Sequence, residues 1–333
     1  MRCLITGSCG FLGSHIVDHV LRTTDFEVVG IDSFRHRGDA LRINDSAEKI
    51  KRYKVVCHDL NAPISPYIAK AIGEVDFIIN TASQSDVLRS IKDPVPFVQN
   101  NINVALHMLE YAREYGCKRF IQISTDEVYG AAPEPMAFPE WSCILPSNPY
   151  AASKAAQEAL AISYWRSYGV PMQIVNCMNL FGERQDKEKY IPMLISRISR
   201  GETVEIHGSL EDPGKRGYLH ARNFASGIMF VIGRDYTPYR ECTDGTIIFP
   251  DRFNIIGTAE VDNFEMANLV ASFLGKEEFA WRFVSFESSR PGHDKRYALD
   301  GSKLAALGWV PPIPFEESLR RTVQWTIKNS EWL

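Results

Sequence analysis

The chain has 333 residues, 45% apolar and 23% charged, with a formal net charge of -4 and a pI near 6.1. That balance offers no electrostatic hold on nucleic acid or an anionic membrane, and no apolar run approaches the roughly 20 residues that span a bilayer. The length exceeds what one hydrophobic core usually serves, so a large domain with a smaller companion is expected.

In chain order, residues 2–6, "RCLIT", read as a buried strand rather than a leader peptide. The glycines of "GSCGFLG" follow at once, Gly7, Gly10 and Gly13 lying between that strand and a helix predicted over 11–22. Glycine there permits a tight turn and lets backbone approach a pyrophosphate seated on the positive helix N-terminus. The second strand, 27–32, ends in Asp32, which suits the ribose hydroxyls of an adenosine and repels a 2′-phosphate. This favours NAD over NADP, with Arg35 and Arg37 just beyond as the opposing signal. The third strand, 54–59, ends on Asp59, placed for an adenine contact, and the fourth, 76–81, ends on Thr81.

A helix predicted over 98–115 carries two apolar stripes: Val98, Ile102, Ala105, Leu109 and Ala112, then Val104, Met108, Tyr111 and Tyr115. Either one stripe faces a second subunit or both serve one crowded core. Strand 119–125, "RFIQIST", then delivers adjacent carboxylates, Asp126 and Glu127, beside Thr125. In a continuing strand those two side chains point to opposite faces, so a shared substrate requires the chain to turn near Thr125. In the helix predicted over 150–168, "YAASK" puts Tyr150 and Lys154 on one face. The ammonium is expected to favour phenolate, making Tyr150 a base for a hydroxyl proton.

With a sixth strand at 172–179, this alternation defines an α/β, Rossmann-type doubly wound parallel sheet, its strands continuously apolar because both faces are covered. Beyond 180, short strands, a helix at 262–274 and Pro-rich turns read as a smaller α+β substrate lobe. Residues 1–178 are expected to form the NAD-binding domain, with about 215–245 returning to it, and 179–333 mainly the nucleotide-sugar lobe.

The glycine cradle, Thr125, and Tyr150 with Lys154 resemble the short-chain dehydrogenase/reductase superfamily, in particular its extended branch. "STDEVYG" at 124–130 resembles the active-site segment of dTDP-glucose 4,6-dehydratases. The likeness extends through "NPYAASKA", "KYIP", "YLHARNFASG", "FNIIG", "RPGHDKRYALD" and "LGWVPPIPFEESLRRTVQW". The resemblance implies Glu127 as the C5 base, Asp126 as the C6 acid, Tyr150 as the C4-hydroxyl base with Thr125 aiding it, and Lys154 on the nicotinamide ribose. It implies a recycled, tightly bound NAD held by Gly7, Gly10, Phe11, Leu12, Gly13, Asp32, Asp59, Leu60, Thr81 and Ala82 besides Tyr150 and Lys154. Ser83, Gln84, Asn179, Lys189, Arg216, Asn254, Arg290 and His293 are the expected substrate contacts.

The chain departs from the family pattern at Gln84 for glutamate, Asp86 for histidine, Asn176 for arginine and Leu180 for asparagine. The nucleotide base therefore stays open among dTDP, UDP, CDP and GDP. The expected function is an NDP-glucose 4,6-dehydratase with dTDP-glucose as the favoured substrate; rival readings are a 4-epimerase, a uronate decarboxylase or a GDP-mannose-type dehydratase of the same branch, and a non-catalytic NAD-binding sensor. Seven scattered cysteines without a C-x-x-C pair or metal spacing fit a reduced, cytoplasmic compartment. A homodimer is implied by the resemblance, with no metal, membrane or nucleic-acid partner.

Overall fold

The buried apolar runs of the first half become β1 (Arg2–Thr6), β2 (Glu27–Asp32), β3 (Tyr53–Cys57), β4 (Phe77–Asn80), β5 (Arg119–Thr125) and β6 (Met172–Cys177). Between them lie α1 (Phe11–Thr23), α2 (Pro66–Ile72), α3 (Val87–Lys92), α4 (Pro94–Tyr115) and α5 (Pro149–Tyr168). The structure is a computed structural model that describes residues 1–43, 51–209, 211, 213–235, 240–241, 248–285 and 294–333. The second half adds β7 (Asn179–Phe181), α6 (Tyr190–Arg200), β8 (Val204–His207), β9 (Lys215–His220), α7 (Ala221–Ile232), β10 (Arg240–Glu241), β11 (Ile248–Phe249) and β12 (Asp251–Ile255). It closes with β13 (Ala259–Asp262), α8 (Asn263–Phe273), β14 (Trp281–Val284), β15 (Arg296–Tyr297), α9 (Ser302–Ala306) and α10 (Phe315–Lys328).

The large sheet runs β12-β6-β5-β4-β1-β2-β3, and every neighbouring pair in it is parallel. Leu4, Ile78 and Phe120 face one layer with Met108, Leu109 and Tyr164, while Ile5, Ile79 and Ile121 face the other with Ile16, Val20 and Ile228. Covering both faces is what removes the polar alternation from these strands. Two segments of the second half belong to this unit: α7 packs on α1, and β12 extends the sheet beyond β6. The second of these lies past the 215–245 span expected to return. The sixth strand ends at Cys177, and Asn179–Phe181 instead pairs with β9 in a separate sheet.

The C-terminal part of each α4 stripe, up to Ala112, serves one core. Val104, Met108, Leu109, Tyr111 and Ala112 are buried in a single cluster, with Ala105 also buried, because the helix packs on the sheet and on α5 at once. Val98 and Ile102 remain half-buried, and Tyr115 is exposed. The smaller sheet centres on β9, with β13 antiparallel to it and β15 and β7 parallel. Leu194, Val261, Met266 and Leu319 fill its core under α6, α8 and α10. No described helix is long and apolar enough to cross a membrane.

Candidate active site

The crevice opens where the strand order reverses, between β1 and β4, the place where open α/β sheets bind ligands. Gly7 takes φ +61°, and a Cβ there would lie 3.0 Å from the Ala82 Cα. A Cβ on Gly13 would sit 2.0 Å from the Gly7 carbonyl oxygen, so neither position admits a larger residue. Gly10 begins α1 without a side-chain cap, leaving its first N–H groups open to an anion, with Phe11 and Leu12 half-buried in the same turn. Across the crevice, Thr81 donates to the Thr6 carbonyl, and the Ala82 N–H donates to the Thr6 hydroxyl at 3.0 Å.

Asp32 accepts from the Cys9 and Phe34 N–H groups, both at 2.9 Å, which fixes its carboxylate at the end of β2. The two arginines that argued against NAD are committed elsewhere: Arg35 pairs with Asp59 and Arg37 with Glu188. Asp59 also accepts from the Asn61 N–H at 3.0 Å, and Leu60 is buried beside it. This donor and acceptor set fits a dinucleotide without a 2′-phosphate. Asp32→Ala is expected to weaken NAD about tenfold or more and NADP little, read by isothermal titration. Equal losses for both would overturn the Asp32 assignment.

Strand geometry ends at Thr125. Residues Asp126–Tyr129 form a 3-10 turn that Thr125 caps by accepting from the Glu127 N–H, so the two carboxylates leave the strand on a tight helical arc. Thr125 donates to Asp126 Oδ1 at 2.8 Å, while Asp126 Oδ2 is buried with no hydrogen-bond partner. Glu127 accepts from Asn148 Nδ2 at 3.2 Å and lies 3.5 Å from the Tyr297 hydroxyl. Burial, and then Glu127, push the Asp126 carboxyl up to about 7. Burial also raises Glu127, against the pull of Asn148, Arg216 and Lys189. The Arg216 charge acts on both carboxylates and Asp126 acts on Tyr150, so these groups lie close enough to bias one another's protonation. Neighbouring carboxyls of this kind share a proton, giving one acid and one base.

Tyr150 and Lys154 stand one turn apart on α5, but the expected phenolate is corrected by the structure. Burial, followed by the charges of Glu127, Cys177 and Asp126, holds the Tyr150 phenol well above its ordinary range; a hydrogen bond to Thr125 offsets part of this. The ammonium bonds elsewhere, to the Ile123 carbonyl at 2.7 Å and to Gln157 Oε1 at 2.6 Å. A buried phenol stays neutral unless a charge faces it directly.

Of the substrate set, Ser83 donates to the Gln84 carbonyl, and Gln84 Nε2 lies 3.2 Å from His36 Nε2. Lys189 reaches the Ser85 carbonyl and Asn179 the Gly217 carbonyl. Arg216 stacks on Tyr297, 4.9 Å from its ring centre. Asn254 is fully buried, its Nδ2 bridging the Phe138 and Asp300 carbonyls at 3.0 and 2.9 Å, which leaves only Oδ1 for a ligand. Arg290 and His293 lie outside the described residues. Asp86 caps α3 by accepting from the Arg89 N–H.

Three features escaped sequence reading. Asn148 caps α5 through Oδ1 while donating to Glu127, a double role signalled only by its place before "PYAASK". Tyr297 comes from β15, far along the chain. Third, Asn176 and Arg252 divide the task of one cation. The family pattern has arginine where this chain has Asn176, yet Glu158 on α5 remains fully buried. Asn176 Nδ2 serves one of its oxygens, and Arg252, arriving on the neighbouring β12, pairs with the other. Arg252 also donates to the Tyr129 hydroxyl at 2.9 Å and stacks 4.4 Å from the Trp141 ring centre. Arg252→Met is expected to cost about 3–5 kcal/mol of stability in chemical denaturation, because Glu158 is left as an uncompensated buried charge. Adding Glu158→Gln should recover much of that loss; no recovery would show that the pair is not the cause.

A parallel sheet in this order, a glycine cradle at its switch point, and a buried Tyr-x-x-x-Lys beside Thr125 define an extended short-chain dehydrogenase/reductase. The model of the GDP-mannose 4,6 dehydratase family matches residues 4–322. The dTDP-glucose 4,6-dehydratase of Haemophilus influenzae is 36% identical, covering 99% of this chain and 99% of its own. The dTDP-glucose 4,6-dehydratase 1 of Escherichia coli (strain K12) is 32% identical over 100% of this chain and 94% of its own. Among solved structures, DesIV (dTDP-glucose 4,6-dehydratase) from Streptomyces venezuelae, with NAD and TYD bound, superposes with a TM-score of 0.86 at 30% identity, covering 100% of this chain and 98% of that one. The chain belongs to the dTDP-glucose 4,6-dehydratase family.

Proposed function

We propose that the protein is an NAD-dependent hydro-lyase, a nucleotide-sugar 4,6-dehydratase that converts dTDP-glucose to dTDP-4-keto-6-deoxyglucose and water. The observation that carries this reading is the adjacent pair of buried Asp126 and half-buried Glu127, close enough to Tyr150 for their charges to act on its phenol. Oxidation or epimerisation at C4 needs no such pair; elimination of water needs both a base and an acid.

NAD, held by the Gly7–Gly13 cradle, Asp32 and Lys154, would supply the acceptor for the C4 hydride and the donor that returns it to C6. The positive charge of bound NAD would favour the phenolate of Tyr150, which, hydrogen-bonded to Thr125, takes the C4-hydroxyl proton, and Lys154 holds the nicotinamide ribose. The C4 ketone acidifies the C5 hydrogen, which Glu127 takes as a proton. Neutral Asp126 protonates the C6 hydroxyl, which departs as water. Glu127 gives its proton back to C5 as C6 is reduced, and the proton from the C4 hydroxyl replaces the one lost by Asp126. One water leaves and no cofactor is consumed.

Arg216 and Lys189, together with Arg290 and His293, hold the diphosphate, where an arginine fork suits paired phosphate oxygens. Ser83, Gln84, Asn179 and Asn254 serve the sugar and base. In this reading the cofactor domain comprises 1–178 with 221–232 and 251–255, and the remainder forms the substrate lobe. The protein acts as a cytoplasmic homodimer; the half-buried Val98 and Ile102 on α4 and the free cysteines support this. Sedimentation at micromolar concentration should give twice the 37.7 kDa chain mass.

The test is a panel of dTDP-, UDP-, CDP- and GDP-glucose, each scored for keto-sugar formation. The widest margin is expected for dTDP-glucose. Recovery of galactose or pentose nucleotides alone would sink the dehydratase reading.

A further inference from the structure

Lys154 is expected to hold the nicotinamide ribose, yet its charge lies deep in the protein, 4% exposed. A row of side chains beneath it runs across the large sheet. Thr6 on β1 is in register with Asn80 on β4, and Asn80 with Gln122 on β5, so all three stand side by side on one face. The Thr6 hydroxyl donates to Asn80 Oδ1 at 2.7 Å, and Asn80 Nδ2 donates to Gln122 Oε1 at 2.9 Å. Gln122 Nε2 donates to Gln157 Oε1 at 3.3 Å, the same oxygen that accepts from Lys154 at 2.6 Å. Gln157 Nε2 donates to the Asn101 carbonyl at 2.6 Å. Gln157 and Asn101 are fully shielded from solvent, and Asn80 and Gln122 are 1% exposed.

The direction of this row is not arbitrary. An ammonium only donates, so Gln157 must turn Oε1 toward Lys154. That oxygen then presents its second lone pair to Gln122 Nε2, which turns Gln122 Oε1 toward Asn80 Nδ2. Asn80 Oδ1 is left to accept from Thr6, whose oxygen is then free to accept from the Ala82 N–H at 3.0 Å, in the cofactor crevice. The ammonium and two backbone carbonyls agree on this direction, since Gln122 Nε2 also donates to the Ile123 carbonyl at 3.0 Å and Gln157 Nε2 to that of Asn101. Lys154 has three donors; Ile123 and Gln157 take two, leaving the third for a ligand.

We propose that Gln157 is the positioning residue for Lys154, and that the Thr6–Asn80–Gln122–Gln157 row ties the lysine to the strand ends that carry the cofactor loops. The row places the third N–H of the ammonium where the ribose arrives. Side-chain amides do not hand protons along, so the lysine has no proton exit through the sheet. This inference rests on the reading of Lys154 as a cofactor-holding residue.

The titratable groups whose charges act on Lys154 are Glu158 on its own helix and Cys177 on β6; Tyr150, one turn away on α5, is not bonded by the ammonium. The Glu158 carboxylate is paired with Arg252, Cys177 is pushed up to about 12 and Tyr150 lies well above 10, so the lysine, at about 8, titrates by itself in the alkaline range.

The test measures the NAD dissociation constant of cofactor-free protein by isothermal titration from pH 5.5 to 10. NAD affinity should fall as Lys154 loses its proton. In Gln157→Met, which fills the space without accepting, the midpoint of that fall should move down by roughly one to two pH units. In Gln157→Glu it should move up. A merely space-filling residue would leave the midpoint unchanged or shift it alike in both variants, and either result overturns the proposal. Should Gln157→Met not fold, Gln157→Glu against the wild type decides, an unchanged midpoint refuting it. NAD binding that is absent at every pH overturns the cofactor reading and this inference with it, whereas binding with an unmoved midpoint overturns this inference alone.

Discussion

Glu127→Gln is expected to lower turnover by about 10³-fold and to abolish solvent-deuterium entry at C5, with substrate affinity changed little. The size follows from general-base catalysis, which contributes roughly 10²- to 10⁴-fold. Glutamine is nearly isosteric and can still accept from Asn148 and Tyr297, so the 3-10 turn and the cavity should survive. What disappears is the base that takes the C5 proton. A second consequence is electrostatic. The Glu127 charge is one of the causes that hold Asp126 high, so in the variant the alkaline limb of any residual activity should move to lower pH. Deuterium incorporation by mass spectrometry, at equal extents of C4 oxidation, is the direct reading. Undiminished incorporation would remove Glu127 from its role.

Asp126→Asn should slow loss of water by about 10²-fold or more while sparing C4 oxidation, so bound reduced nicotinamide accumulates and is seen by its absorbance. The proton on Asp126 matters because the leaving hydroxyl needs one. With its carboxyl near 7, the neutral form dominates below that pH, and activity should fall as pH rises through it. The substituted amide carries no ionisable proton, so the variant should lose that limb. If turnover falls with no accumulation of reduced cofactor, the division of labour between the two carboxyls is wrong. The same group shapes stability. Its folded value is raised from the ordinary 3.8 to about 7, so between these pH values the folded chain binds a proton that the unfolded chain has released. The contribution is therefore full below about 4 and is lost as pH climbs through 7. Asp126→Asn should flatten the stability curve in that window, as measured by urea titration.

Much of this was legible in the linear chain, and the reason is locality. Residues Arg2–Thr6 are a buried run ending in glycines, and the cradle they form closes within a single strand-turn-helix unit. Tyr150 and Lys154 are one helical turn apart, and Asp126 and Glu127 are adjacent, so each motif carried its own geometry. Strand apolarity likewise announced a sheet covered on both faces. Proximity along the chain was less reliable for charge. The lysine four residues from Tyr150 turned its ammonium to Ile123 and Gln157 rather than to the phenol, because a buried cation bonds to whichever acceptors the fold places nearest.

Strand apolarity and short motifs by themselves determined the fold class and the cofactor cradle, and singled out Asp126 and Glu127 as candidates. The tertiary structure decided how these parts are held. Arg252 joins Asn176 on the Glu158 carboxylate from a neighbouring strand much later in the chain, and no periodicity within either segment reports on the other. Asn80 and Gln122 become neighbours of Thr6 only through sheet register. The physical reason is the same in each case: hydrogen bonds and ion pairs in a dry interior act over about 3 Å in space, whereas a sequence records distance along the chain.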